Sequence, residues 1–546
     1  MIAAPWLVAI LVGALVWLAA VALQGRRLLH VLQLEEYELR RFWAWLAAGA
    51  ERVVPRAQLQ AMLALAALAT AILLLPALDL YVLAPALALG AAAYAWWGRP
   101  RAEAKKPLVW TKKALLLAAV AAALALLTVA VAAWLWLAPP DGTPRPALFV
   151  ATLAVLGLLP AYYLSAATLL VYPFQAGAKR GLVLLAARKL RSRPDLVVIG
   201  ITGSYGKTST KEILATLLGA RYRVLKTSAS VNTPVGIART VLRGLQPEHE
   251  VFVVEMGAYV PGNIRELARL ARPRIGVLTA VGEQHLERFG SVANIARTKY
   301  ELIEALPADG LAVFNADNKR CRELARQTSH VPVRTYGLEP RGRGPDLTAS
   351  AIETSPSGTS FTVHAPNAEP VRFSTPLLGR HNVSNVLAAT TVALELGLSL
   401  AEIAAAARDL APVPHRLQLI QGEGGVTVID DAYNSNPAGA RAALDVLAEL
   451  PGRKVLVTPG MVELGERLEQ RHEEFGRQAA AVCDYIILVG PRRTAAIAAG
   501  ARAAGFPADR LFSVPSLKEA TAQLGRLLAP GDAVLFENDL PDQYSE

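Results

Sequence analysis

The chain has 546 residues, a hydrophobic share of 53%, a mean hydropathy of +0.33 and a formal net charge of +11. Its length holds several domains, and its apolar content excludes an intrinsically disordered polymer. Two cysteines, Cys321 and Cys483, exclude a disulfide framework and a cysteine-built metal cluster.

The apolar excess lies in the first third of the chain. Residues 5–24, 57–78, 80–97, 114–138 and 147–173 form runs almost free of charge, each of about the length that crosses a bilayer as a helix. They predict a multi-helix transmembrane domain over 1–175 with about five crossings, four and six being the competing counts. The first run is not a cleavable signal, because no basic residue precedes its apolar core. Arg26, Arg27, Arg40, Arg41, Arg52 and Arg56 follow the first run, and further Lys and Arg clusters follow the third and fifth. By the positive-inside bias the N-terminus is expected outside, with everything after the last crossing in the cytoplasm of a multi-pass inner-membrane protein. On this reading the lipid bilayer is a partner, and the positive charge reflects topology and anionic-lipid contact. No nucleic-acid partner is expected. Residues 26–50 mix Leu, Phe and Trp with Arg and Glu at helical spacing and predict an interfacial helix. Residues 176–193 read as a basic linker.

From residue 194 short β-branched runs alternate with Ala/Leu-rich helical patterns. Strands are expected at 196–201, 251–255, 275–279, 311–314, 426–430, 454–458, 485–489 and 533–536, which makes α/β units with largely parallel sheets. Residues 331–377 alternate more weakly and predict a small antiparallel excursion. Pro412-Val-Pro414 marks a linker. The expected division is a central α/β domain over 194–411 and a Rossmann-like α/β domain over 412–546.

The most specific stretch is Gly200-Ile-Thr-Gly-Ser-Tyr-Gly-Lys-Thr-Ser-Thr210. A strand, a glycine turn and a helix beginning near Thr208 make a phosphate-binding loop, in a form shorter than the usual spacing. Its backbone N–H groups cradle phosphates, Lys207 reaches the terminal ones, and Thr208 offers a hydroxyl to Mg2+. Thr202, Gly203, Ser204, Gly206 and Ser209 complete the candidate nucleotide contacts. Glu255, at the end of a strand, is placed to serve a metal beside that loop. His285 leaves the next strand in the same way, and Lys299 lies fourteen residues on in a helical pattern. Farther along, Gly379-Arg-His-Asn-Val-Ser-Asn385 opens a helix, Arg416 follows the linker, and Val428-Ile-Asp-Asp-Ala-Tyr-Asn-Ser-Asn-Pro437 crowds hydrogen-bonding groups after a strand.

These motifs together resemble the Mur ligases, the ATP-dependent enzymes that add amino acids or peptides during peptidoglycan precursor synthesis. The likeness runs from about 194 to 536 and is nearest to the branch that adds D-alanyl-D-alanine to a UDP-muramoyl tripeptide. It rests on Thr202–Thr210, Glu255-Met-Gly-Ala with Pro261-Gly, His285-Leu-Glu-Arg-Phe-Gly290, Lys299, Gly379–Asn382, His415-Arg416, Asp430–Pro437 and Met461-Val-Glu-Leu-Gly465. The resemblance implies a central P-loop ATPase domain, a Rossmann-like C-terminal ligase domain, ATP, and Mg2+ held by Thr208, Glu255, His285 and a carbamylated Lys299. It implies that His381 and Asn382 meet the adenine, that Arg416 meets the ATP at the hinge, and that Asp430 or Asp431 serves the ribose or domain closure. Lys207, Glu255, His285, Lys299 and Asp431 become the candidate catalytic residues. Asn232, Thr233, Tyr433, Asn434 and Asn436 become candidates for binding substrate.

In the family a substrate carboxylate attacks the γ-phosphate, and an amine then displaces phosphate from the acyl phosphate. Two departures stand out: membrane runs occupy the place of the UDP-sugar domain, and Glu537-Asn-Asp-Leu-Pro-Asp-Gln543 replaces a Lys-Gly-Ser element. The expectation is therefore a membrane-anchored ATP-dependent amide ligase of the cell envelope, joining an amino acid or peptide amine to a lipid-linked or membrane-proximal carboxylate. The alternatives are the D-alanyl-D-alanine-adding step on a UDP-linked tripeptide, or an ATP-dependent membrane sensor.

Overall fold

The computed structural model describes residues 21–47, 107–137, 159–338, 344–355 and 357–539; in the helix Lys112–Leu137 the side chains at 129, 132, 133 and 135–137 also lie outside the described set. The chain divides into two compact units at Ala178/Lys179.

In the first unit a helical stretch over 21–34 turns at 35–38 into α1 (Leu39–Ala47), and α2 (Lys112–Leu137) and the first half of α3 (Pro160–Arg191) follow. Leu29, Leu32, Phe42 and Leu46 bury themselves against Ala114, Leu117, Leu164 and Ala167. The polar groups among them are paired: Trp43 Nε1 donates to Ser165 Oγ at 3.2 Å, and Tyr163 Oη donates to Thr128 Oγ1 at 2.9 Å. The interfacial helix expected over 26–50 is thus two shorter helical pieces packed on other helices.

The expected five-crossing domain, its bilayer partner and the multi-pass inner-membrane placement require correction. A crossing takes about 20 consecutive apolar residues, and among the described residues no helix is long and apolar enough to cross a membrane. The run at 147–173 does not stand alone either. From Pro160 it is the front half of α3, which contains Pro173 and continues through Lys179, Arg180, Arg188, Lys189 and Arg191. The runs at 57–78 and 80–97, and most of 5–24, lie outside the described residues.

The second unit begins with the back half of α3, so the expected basic linker at 176–193 is helical. Ala186, Ala187 and Leu190 join the core beside Val198 and Phe252. Lys189 Nζ donates to the carbonyls of Leu245 at 2.7 Å and Val241 at 3.2 Å, satisfying acceptors at a helix C-terminus.

The first sheet contains β1 (Val197–Thr202), β2 (Val224–Lys226), β3 (Val251–Glu255), β4 (Ile275–Leu278), β5 (Leu311–Asn315), β6 (Val333–Gly337), β7 (Leu347–Ser355), β8 (Gly358–His364) and β9 (Val371–Thr375). Their order is β2-β3-β1-β4-β5-β6-β7-β8-β9; pairing is parallel through β7 and antiparallel from β7 to β9. The antiparallel segment expected over 331–377 is therefore the continuation of the central sheet rather than a separate excursion. Continuous apolar strands suit a sheet covered on both faces. Ile199, Ile201, Val251 and Val253 enter one core layer, while Val198, Phe252 and Val254 enter the other, as the two-residue period of a strand requires.

The second sheet contains β10 (Gln418–Gln421), β11 (Thr427–Asp431), β12 (Lys454–Thr458), β13 (Tyr485–Val489), β14 (Leu511–Val514) and β15 (Ala533–Glu537), in the order β10-β11-β15-β12-β13-β14. It is parallel except for β10 against β11. The helices that carry site residues are α4 (Lys207–Gly219), α5 (Pro234–Gly244), α6 (Val292–Glu304), α7 (Arg380–Glu395), α8 (Pro437–Glu449) and α9 (Leu468–Val482).

Candidate active site

Adjacent strands deliver the expected residues to one place. β3, β1 and β4 are neighbours in parallel register, with Ile201 opposite Glu255 and Thr202 opposite Leu278. Their carboxyl ends therefore carry Glu255, the phosphate loop and the segment leading to His285 side by side, where open α/β sheets bind ligands.

Hydrogen bonds pin the loop on both sides. Thr202 Oγ1 donates to Met256 O at 2.9 Å, Gly282 N donates to Ser204 Oγ at 2.9 Å, and Thr279 Oγ1 donates to Tyr205 O at 2.5 Å. A Cβ at Gly203 would collide with Thr279 Oγ1, and one at Gly206, where φ is +80°, would stand 2.7 Å from Asn385 Oδ1. Glycine at both positions leaves room for these neighbouring side chains, and at Gly206 it also adopts the left-handed backbone at little cost. Lys207 opens α4 and donates back to Gly203 O at 2.8 Å. Burial lowers its pKa to about 8; Glu255 favours its charged form and Arg416 opposes it. Thr208 is buried, and its hydroxyl accepts from Arg416 Nη2 at 3.4 Å. Ser209, Asn382 and Arg416 line one small pocket with Pro412 and Leu417. Asn382 Nδ2 donates to Leu378 O at 3.0 Å, and burial pushes the neighbouring His381 down to about 4.

Glu255 is 1% exposed. Its Oε1 accepts from Asn232 Nδ2 at 3.2 Å, whereas Oε2 is buried without a hydrogen-bond partner and lies 3.7 Å from Lys211 Nζ. A buried carboxylate oxygen left in this state is suited to a cation, which fits the Mg2+ that the resemblance implies. Lys211 was not among the expected residues. It is fully buried, pairs with Glu212 at 3.1 Å and donates to Ala229 O. Its position one helical turn after Lys207, on the same face of α4, was the available signal.

His285 adopts a left-handed backbone at the start of a one-turn helix, Leu286–Phe289. Its Nδ1 is engaged by Glu463 Oε2, its ring meets Tyr259 edge-on at 4.8 Å, and Arg288 pairs with Glu463 at 2.8 Å. Burial lowers the His285 pKa against the raising effect of Glu463, and Lys207 and Lys299 lower it further. Burial opposes the charge on Glu463, but His285 and Arg288 hold its carboxyl below the usual range. Lys299, on α6, is 5% exposed, and burial with the Lys207 charge holds its amine well below the usual lysine range. Among the described residues no group of three or more His, Cys, Asp and Glu side chains converges as a metal set. Glu255 and Thr208 are thus presented to the loop, while His285 is held by the C-terminal domain. Arg288 and Glu463 lay inside motifs already singled out, but their pairing spans the two sheets and has no local signature.

From the C-terminal side, Arg416 stacks on Tyr433 with the guanidinium 4.3 Å from the ring centroid, and Tyr433 Oη donates to Ser230. Asp430 pairs with His415 at 2.7 Å. Asp431 accepts from Leu417 N at 3.2 Å, and burial raises its carboxyl to about 6. Two of the expected substrate contacts also cap helices: Thr233 caps α5 by accepting from Gly236 N, and Asn436 caps α8 by accepting from Gly439 N. Asn434 is half-buried and makes no side-chain hydrogen bond among the described residues. Arg467 and Arg471 of the C-terminal side close on Glu283 at 2.5 and 2.8 Å.

Comparison with known proteins adds the following. Residues 201–393 match the Mur ligase middle domain, and 415–537 match the Mur ligase, glutamate ligase domain. The UDP-N-acetylmuramoyl-tripeptide–D-alanyl-D-alanine ligase of Escherichia coli is 36% identical over 335 residues, which are 61% of this chain and 73% of that protein. The ligase of the same name from Bacillus subtilis is 34% identical over 62% of this chain and 72% of its own. Among solved structures, MurF from Acinetobacter baumannii superposes with a TM-score of 0.61 at 30% identity, covering 67% of this chain and 78% of that one. MurF ligase from Thermotoga maritima, in complex with ADP, gives 0.58 at 28% identity, covering 66% and 80%. None of these likenesses supports a membrane region standing in for another domain, so that expectation is corrected here as well.

Proposed function

This chain belongs to the Mur ligase family and is an ATP-dependent carboxylate–amine ligase of peptidoglycan biosynthesis; within that class we propose that it adds a D-alanyl-D-alanine dipeptide to the carboxylate of a UDP-muramoyl tripeptide. The observation that carries the reading is the meeting of Arg416 with Thr208, which brings the C-terminal domain onto the phosphate loop in a chain 36% identical to a ligase of that name. A lipid-linked acceptor was expected because of a membrane domain and loses its support with that domain.

The proposed sequence has two displacements. The acceptor carboxylate attacks the γ-phosphorus of ATP, ADP leaves, and an acyl phosphate forms. The amine then attacks the acyl carbon, inorganic phosphate leaves, and the amide forms. Lys207 offsets the charge on the transferring group. Asp431, with its carboxyl near 6, suits acceptance of the proton that the attacking ammonium must lose. Thr208 and Glu255 are the residues we assign to Mg2+, which when bound supplies charge neutralisation at the phosphates. Lys299 has a buried amine whose pKa is held well below the usual lysine range by burial and the Lys207 charge, a shift toward the neutral form that carbamylation requires, and we assign it that modification with His285 as its companion.

The test is ligation by the full chain supplied with Mg-ATP, UDP-muramoyl tripeptide and D-alanyl-D-alanine. Product of the expected mass, with phosphate release that needs both substrates and is lost in Lys207→Ala, is the expected result. Use of a different amine with no use of the dipeptide refutes the reading. In the same preparation, 13C-bicarbonate should give a carbamate signal that disappears in Lys299→Arg.

A further inference from the structure

Two lysines one helical turn apart on α4, Lys207 and Lys211, both act on Glu255. Lys207 lies close enough for its charge and the carboxylate to stabilise each other. Lys211 has no exposed surface, and its Nζ stands 3.7 Å from Glu255 Oε2, the oxygen that accepts no hydrogen bond.

The same ammonium holds a loop. It donates to the carbonyl of Ala229, whose φ of +40° is a left-handed backbone that a non-glycine residue keeps only where its surroundings fix it. Three residues on, Asn232 donates to Glu255 Oε1 at 3.2 Å, and at the other end of the loop Thr227 Oγ1 accepts from Glu255 N at 3.1 Å. Loop and carboxylate therefore form one unit, and Lys211 touches both parts of it. Its other ion pair, with Glu212 at 3.1 Å, competes weakly, because Glu212 is shared with Lys226.

A carboxylate facing two ammonium groups is already neutralised. A divalent cation approaching Oε2 meets the Lys211 charge at short range in a buried place, where water and salt screen it little. Among the described residues no cluster of three or more His, Cys, Asp or Glu side chains outweighs those lysines.

We infer that Lys211 is a positioning residue that serves as the internal counter-ion of Glu255 and keeps divalent cations off that carboxylate in the nucleotide-free chain; the inference rests on the assignment of Mg2+ to Thr208 and Glu255 made above.

Binding of Mn2+ to the full chain without nucleotide, read by electron paramagnetic resonance, tests it. Lys211→Gln removes the charge and keeps a donor for the loop; Lys211→Met removes both. Each should bind Mn2+ on the order of tenfold more tightly than the native chain, the scale set by a unit charge at about 4 Å between water and protein interior. Lys211→Arg, which keeps the charge, should stay near the native affinity. A residue that only braced the fold would give the opposite sign, since loosening Glu255 weakens a site built on it. Hydrogen exchange of peptides from β1 and α4 reports whether each variant is folded. Affinity that is unchanged or weaker in folded Lys211→Gln overturns the counter-ion role, as does an arginine variant that binds as tightly as the glutamine one. A gain that survives when Glu255→Gln is added overturns the underlying assignment of the cation to Glu255.

Discussion

Replacing Glu537 by glutamine should make the C-terminal domain more stable at alkaline pH. Glu537 ends β15 with no exposed surface; it accepts from the Ser435 hydroxyl and, at 2.8 Å, from Thr458 Oγ1. Burial outweighs those two hydroxyls and raises its carboxyl to about 7, with Asp431 adding to the rise. An unfolded glutamate titrates near about 4.3. The folded state therefore prefers the protonated acid. Below the unfolded pKa both states hold the proton and there is no penalty; as pH rises toward 7 the unfolded chain ionises first and stability falls. The interval of nearly three units corresponds to roughly 4 kcal/mol lost by pH 8.

Glu537→Gln keeps the size and one acceptor and cannot ionise. Allowing about 1 kcal/mol for a poorer hydrogen bond, the variant should exceed the native chain by roughly 3 kcal/mol at pH 8 and fall slightly below it at pH 4.5. Hydrogen exchange of peptides from β12 and β15 in the full chain, read at both pH values against urea, measures the domain separately from the rest. Parallel pH profiles for the two proteins would refute the reasoning, because the difference in slope belongs to this one carboxyl.

Gly203→Ala places a methyl group against Thr279 Oγ1 and 3.1 Å from Ala280 N. Overpacking of about 1–3 kcal/mol should displace the loop and weaken ATP binding severalfold, and native affinity by calorimetry would count against the close approach described. Glu463→Gln removes the charge that joins His285 and Arg288 to the C-terminal domain. That loss should cost closure about 1–3 kcal/mol and lengthen the mean distance between dyes on α6 and α9, whereas an unaltered distance distribution would show that Glu463 does not hold the domains together.

The chain's local patterns determined its α/β units and the phosphate loop. Runs such as Val251–Glu255, Lys454–Thr458 and Tyr485–Val489 are legible as strands because both faces of each are buried and every position can be apolar. Gly203 and Gly206 before Lys207 are legible because the Thr279 and Asn385 side chains crowd the loop there and leave no room for a Cβ. Short strands such as Val224–Lys226 and Leu511–Val514 left little trace, since three or four residues at a sheet edge need no distinctive pattern. Apolar composition in the first third was misleading for a related reason: a hydrophobic run reports that a surface is to be covered and says nothing of what covers it. The structure pairs Phe42 and Leu46 with Leu117 and Leu164. Only the tertiary structure could bring Glu463 to His285, Arg416 to Thr208, and Lys211 to Glu255. Those contacts join residues far apart in the chain, and their energy depends on burial and mutual approach, which no local spacing encodes.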